Sequence, residues 1–261
     1  SAAAPTRCTP RPEAAEFPWS ANPEGVDNAM VGRLFTRLEA LAEEYGFDFS
    51  FALDYERGEG GMLLVVEDYN GSRDDPEVTV SLRGSPGVAP TNGPPRWDGT
   101  DVWDLFDDNP ANRETFLRLE REPGYVSGGI LVLDLGHLGQ QVLRIDTGLG
   151  APFLLLASDI LVTARLDQTE MHELTISAVA DLASAYDSLP QIAESLAACL
   201  PGTAPFIEEL LAPMLLQAAD QPVDPNASPE TICNGVSFAL GMSGTRAELG
   251  GFGTRELGRC D

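Results

Sequence analysis

The apolar positions of this chain change period along its length. Over residues 26–46, Met30, Leu34, Leu38 and Leu41, with Val31 and Phe35 beside them, recur at helical spacing. This predicts an amphipathic helix ended by Gly46, with Arg33, Arg37, Glu39, Glu43 and Glu44 on its polar face. From Phe47 the period drops to two. Phe47, Phe49, Phe51 and Leu53 alternate with Asp48, Ser50, Ala52 and Asp54, which predicts a strand with one apolar face. A glycine-rich turn at 58–61 leads to a return strand over 62–66. Asn70-Gly71 marks a further turn, and Val78, Val80 and Leu82 form a third alternating strand before Gly84, completing an antiparallel meander.

Residues 85–97 are rich in Pro and Gly and residues 97–112 in Asp, so a long loop is expected, with a short helix following over 113–121. Strands are expected again over 129–135, 141–146 and 153–166, the last bent near Ala157-Ser158. Helical spacing returns over 169–219, where Pro190, Pro201 and Pro205 divide it, and residues 236–240 with 245–249 read as a closing hairpin. No βαβ alternation occurs. The expected class is α+β: an antiparallel β-sandwich or wrapped antiparallel sheet with an N-terminal helix and a C-terminal helical segment. Residues 1–23 form an extended arm, 24–168 a helix and sheet, and 169–261 a helical segment returning to the sheet, all within one unit.

Composition narrows the chemistry. The 16 basic residues are all arginine, against 41 acidic residues, for a formal net charge of -25. Without lysine there is no Schiff-base nucleophile, no pyridoxal anchor and no P-loop lysine. The acidic balance disfavours nucleic acid, whose binding needs clustered cations to displace counterions. A hydrophobic content of 43% supports a proper core, yet no apolar stretch is long enough to span a bilayer. The opening Ser-Ala-Ala-Ala-Pro reads as the remnant of a cleaved leader or a cloning scar.

Cys8, Cys199, Cys233 and Cys260 lack zinc-ligand spacing, so disulfides are the better reading, and with them an extracytoplasmic, oxidising location. Sequence leaves three connectivities open. The favoured one joins Cys8 to Cys260, tying down the termini, and Cys199 to Cys233, bracing the helical segment; a rival joins Cys233 to Cys260.

Five segments occur in an order that carries a resemblance: Gly25-Val26-Asp27-Asn28; Tyr69-Asn70-Gly71 with Asp74 to Val80; Trp97-Asp98-Gly99-Thr100-Asp101-Val102-Trp103; Tyr125 to Val132; and Cys233 to Gly241. Together they resemble a group of secreted myxobacterial proteins, many described as lipoproteins, that have no assigned function. The resemblance implies export and brings no activity with it. The position matching a lipid-bearing cysteine is Cys8, but Pro5-Thr6-Arg7 before it is not a lipobox, which leaves Cys8 free for a disulfide.

The densest chemistry lies between Trp97 and Asp108. Asp98, Asp101, Asp104, Asp107 and Asp108 are candidate ligands for a hard cation such as calcium, and Trp97 and Trp103 offer faces on which a sugar could stack. Asp74 and Asp75 could supply a second edge. The competing reading has both tryptophans pinning the loop to the sheet, the aspartates solvated, and residues 73–77 forming an Asx-type turn. His137 and His172 read as structural. Gly241-Met242-Ser243-Gly244-Thr245 lacks the closing glycine of a nucleophile elbow. The apolar stripe of Phe206, Ile207, Leu210, Leu211, Met214 and Leu215 could cover a cavity. Taken together, the sequence favours an extracytoplasmic, non-enzymatic binding or surface protein with a cation, glycan or protein partner. The alternatives are a carrier holding a hydrophobic small molecule between sheet and helices, and a carboxylate-based glycoside hydrolase, which needs neither Lys nor His.

Overall fold

The structure is a computed structural model that describes residues 8, 58, 61–89, 93–106, 117–145, 153–167, 170–199, 212–224 and 226–253. The helix expected over 26–46 and the strand after it lie outside these residues, as do Asp107, Asp108, Cys260 and Phe206 to Leu211 of the apolar stripe.

The expected meander is present. β1 (Gly61–Glu67) pairs antiparallel with β2 (Asp75–Ser85), Gly61 facing Ser85 and Glu67 facing Thr79. Between them Gly71 takes a left-handed conformation, φ 79°, as the Asn-Gly turn requires. Val78, Val80 and Leu82 of β2 are fully buried. After the two-residue β3 (Gly87–Val88) comes β4 (Val102–Phe106), a strand where the sequence predicts loop. Its alternation is short but sufficient: Trp103 and Leu105 are buried while Val102, Asp104 and Phe106 are half-buried.

β5 (Leu119–Ser127) replaces the short helix expected at its start and pairs with β2 and with β6 (Ile130–Asp134). Its Glu-Arg-Glu-Pro run hides the strand, because those side chains stand at the surface while Leu119 and Val126 are buried. A single 3₁₀ turn, Gly136–Leu138, separates β6 from β7 (Gln141–Ile145), and both pair with the same long strand, β8 (Phe153–Leu166). The bend expected in β8 is a bulge at Asp159, whose φ is 50°. Across it the buried set moves from Leu155 and Ala157 to Ile160, Val162 and Ala164, a one-residue change of phase.

The helical reading of 169–219 needs a larger correction, since residues Glu170–Asp181 form strand β9, paired with β8 and with β10 (Gly235–Thr245). Leu174, Ile176, Ala178 and Ala180 are buried in strict alternation, a period of two that the Glu, Met and Ala content disguises. Helix α1 (Leu182–Cys199) follows directly, with the Asp181 carboxylate capping the Ala183 N–H at 2.9 Å. Pro190 lies within α1 and does not end it, because Leu182, Ala185, Leu189 and Ala193 remain seated on the core. Helix hydroxyls also complete the edge of β8. Ser184 Oγ accepts the Leu156 N–H, and Ser188 Oγ donates to the Leu154 carbonyl. Helix α2 (Ala212–Ala218) buries Met214 and Leu215.

The closing hairpin is not formed. β10 runs alongside β9 to Thr245, with a register shift between Met242 and Gly244, and β11 (Glu248–Gly253) joins a different sheet, lying parallel to β4. The result is an antiparallel sheet in the order β1-β2-β5-β6-β8-β9-β10, with β7 on the flank of β8, plus a small sheet β11-β4-β3. The fold is thus α+β, with a curled antiparallel sheet. Among the described residues no helix is long and apolar enough to cross a membrane.

The disulfide joins Cys8 to Cys233, with Cα atoms 5.3 Å apart. This overturns both favoured pairings, since neither Cys8 nor Cys233 is left for Cys260 or Cys199, and the rival Cys233–Cys260 pairing falls with them. Cys233 is fixed where its neighbour Asn234 donates to the Gln221 carbonyl at 3.2 Å, and Cys8 Sγ lies 3.6 Å from the carbonyl oxygen of the adjoining Asp220. Both half-cystines are buried. A buried disulfide fits an oxidising compartment.

Candidate functional site

β1 breaks the alternation rule. Met62, Leu63, Leu64, Val65 and Val66 are consecutive apolar residues, so both faces of the strand are apolar, yet every one of them is only half-buried. At the far end of the sheet, the inward row of β10 begins buried with Val236 and Phe238 and becomes half-exposed at Leu240 and Met242. These two strands, the ends of the sheet among the described residues, both line one cleft of about 920 Å³. It is lined also by Leu174 and Met171 of β9, and by Trp97, Trp103 and Leu249 from the small sheet and the turn before it. The volume lies within the range of small-molecule sites, about 300–1,000 Å³. It lies between β1 and β10, not under α1 and α2, where the sequence places a carrier's cavity.

The acidic segment serves this part of the lining as scaffolding. Asp101, 7% exposed, accepts the Arg96 N–H through both carboxylate oxygens at 3.0 and 3.1 Å and the Trp97 N–H at 2.7 Å. That grip holds Trp97 in a left-handed conformation, φ 58°, which a bulky side chain rarely adopts. The Trp97 ring is thereby laid beside Trp103, centroids 5.5 Å apart and planes tilted by 50°. Asp98 accepts from the Thr100 hydroxyl at 2.5 Å and the Thr100 N–H at 3.0 Å, and these bonds hold its pKa below the ordinary aspartate value. Asp104 accepts the Gly251 N–H at 3.0 Å, tying β4 to β11.

The three described aspartates of the segment therefore accept from separate donors, Asp98 from Thr100, Asp101 from Arg96 and Trp97, and Asp104 from Gly251. Among the described residues no three His, Cys, Asp or Glu side chains are grouped to hold a metal ion. Asp74 and Asp75 do not line the cleft. Asp74 accepts the Gly128 N–H at 2.9 Å, clasping the β5–β6 turn, and Asp75, buried, accepts the Asn70 N–H at 2.9 Å. His137 sits in the 3₁₀ turn, exposed, with Nδ1 3.1 Å from the Asp134 carbonyl and Nε2 3.3 Å from Glu122. Ser243 lies in β10, in a strand and not at a strand-to-helix elbow.

Trp97 and Trp103 do come together at the site, whereas the cleft walls were not singled out from sequence. Their signal was the unbroken run of 62–66, which a half-buried surface strand does not carry. Nothing in the sequence marks Arg246, which also lines the cleft. Comparison with known proteins finds no matching family model, no matching curated sequence and no matching solved structure.

Proposed function

We propose that this protein is an extracytoplasmic, non-enzymatic binding protein whose ligand is an apolar small molecule held in the cleft between β1 and β10. The observation that carries the reading is the half-exposed apolar run of β1, which lines one cleft together with Leu174, Met171 and Met242. Met62, Leu64 and Val66 pack in part against the core, and the apolar surface that β1 still leaves open is unfavourable in water; a ligand that fills the cleft removes it. Binding sites of this kind are concave, mostly apolar and preformed. A glycosidase needs two carboxyl groups across a cleft, and Asp167 is the single carboxylate among the described lining residues. The Cys8–Cys233 disulfide supports export.

Titration with Nile red, an uncharged probe whose emission rises in apolar surroundings, tests the reading. Saturable, equimolar binding is expected, together with its loss in Ser243→Trp, which fills the cleft from an exposed wall position and leaves the melting temperature unchanged. No enhancement, or enhancement that never saturates and survives Ser243→Trp, would count against the cleft as a ligand site.

A further inference from the structure

The cleft carries a charge pattern at odds with the rest of the molecule. The protein has a net charge of -25, yet the single basic residue among the described lining residues is Arg246, in the link between β10 and β11. The ion pairs among the described residues are those of Arg83, Arg118, Arg121 and Arg165 with glutamates and of His137 with Glu122, and none of them includes Arg246. The described lining also holds one carboxylate, Asp167. Arg246 is exposed, and its Cβ and carbonyl oxygen lie 3.6 and 3.8 Å from where a Cβ on Gly99 would stand, so its backbone abuts the turn that carries Trp97. The backbone therefore places an arginine beside Trp97 in the lining of an apolar trough.

We propose, on the strength of the cleft reading above, that the ligand is a single-chain amphiphile with a carboxylate head, of the long-chain fatty-acid class. Its head pairs with Arg246 and its chain lies along the apolar run of β1. Charge complementarity selects this chemistry. A cationic amphiphile would meet a guanidinium at the rim, and a neutral one would leave that charge without a counterpart. A carboxylate accepts two parallel N–H bonds from the planar guanidinium, a geometry that Arg supplies and a point charge does not. A single anion is admitted in spite of the acidic surface because the pair forms beside apolar walls, where its attraction is screened less than the more distant surface charges. Trp97, 41% exposed, lines the cleft with Arg246 and offers an amphipathic ring where head would give way to chain.

The experiment uses the full chain, stripped of lipid, and compares the fluorescence of cis-parinaric acid with that of its methyl ester. In the wild type the acid is expected to bind about tenfold more tightly than the ester, the worth of a charge-assisted hydrogen bond at an accessible site. Arg246→Gln should bring the acid down to the ester's affinity, leave the ester and the melting temperature unchanged, and Arg246→Lys should recover only part of the difference. Equal binding of acid and ester by the wild type would overturn the head-group assignment while leaving the cleft as a ligand site. Binding of neither would overturn the cleft reading, and the assignment with it.

Discussion

The indole of Trp97, 41% exposed, lies beside that of Trp103, 5% exposed, at a centroid separation of 5.5 Å. One ring belongs to the core of the small sheet and the other covers it from the rim, so the two should separate in their effects. Trp103→Ala should cost about 3–5 kcal/mol, because it empties a packed position against Gly61. Trp97→Ala should cost about 1 kcal/mol, the worth of the aromatic contact. Denaturant unfolding gives both values, and near-ultraviolet circular dichroism should lose the same coupled indole signal in each variant. Equal destabilisation by the two would mean that Trp97 is as much part of the core as Trp103.

Asp101 tests whether the acidic segment is scaffold or cation site. With its carboxylate spent on the Arg96 and Trp97 N–H groups, Asp101→Ala should lower stability by about 2–3 kcal/mol, and Asp101→Asn by about 1 kcal/mol. These losses should be the same in chelator and in calcium at matched ionic strength. Saturable stabilisation of the wild type by calcium alone, absent from Asp101→Asn, would restore the metal reading of the segment.

The Cys8–Cys233 bond closes a loop of 225 residues, and constraint of the unfolded chain by so long a loop is worth about 5 kcal/mol in the loop-entropy account. Cys8→Ser with Cys233→Ser should therefore lower stability by about 2–5 kcal/mol. Proteolysis without reductant should release the peptide containing Cys8 covalently joined to that containing Cys233. A peptide joining Cys8 to Cys260 would refute the observed connectivity.

The strands that could be read from sequence are those whose burial alternates cleanly and whose turns are marked. Val78, Val80 and Leu82 after Asn70-Gly71 belong to this kind, as does the long strand with its bulge beside Ser158. β9 was obscured because Glu170, Met171, Glu173 and Leu174 are good helix formers, and pairing with β8 and β10 on both sides outweighs that local preference. β11 was misassigned because local pattern says nothing about partners: its mate is β4, from the other half of the chain. The same limit applies to the site. Trp97 and Trp103 are conspicuous as residues, but the cleft exists only because β1 and β10 line it together, a relationship between strands distant in sequence.

Asp104 and Gly251 touch although 147 residues separate them. A chain that emerges from its N-terminal side first presents β1, β2, β4, Trp97 and Trp103 long before β11 exists to lie against β4. Through that interval the trough has its walls laid down in part but lacks Leu249 and Arg246 at its rim. The binding site is thus one of the last parts of the molecule to be finished. The lining of the cleft is closed only when the link carrying Arg246 and the strand carrying Leu249 follow β10 into place.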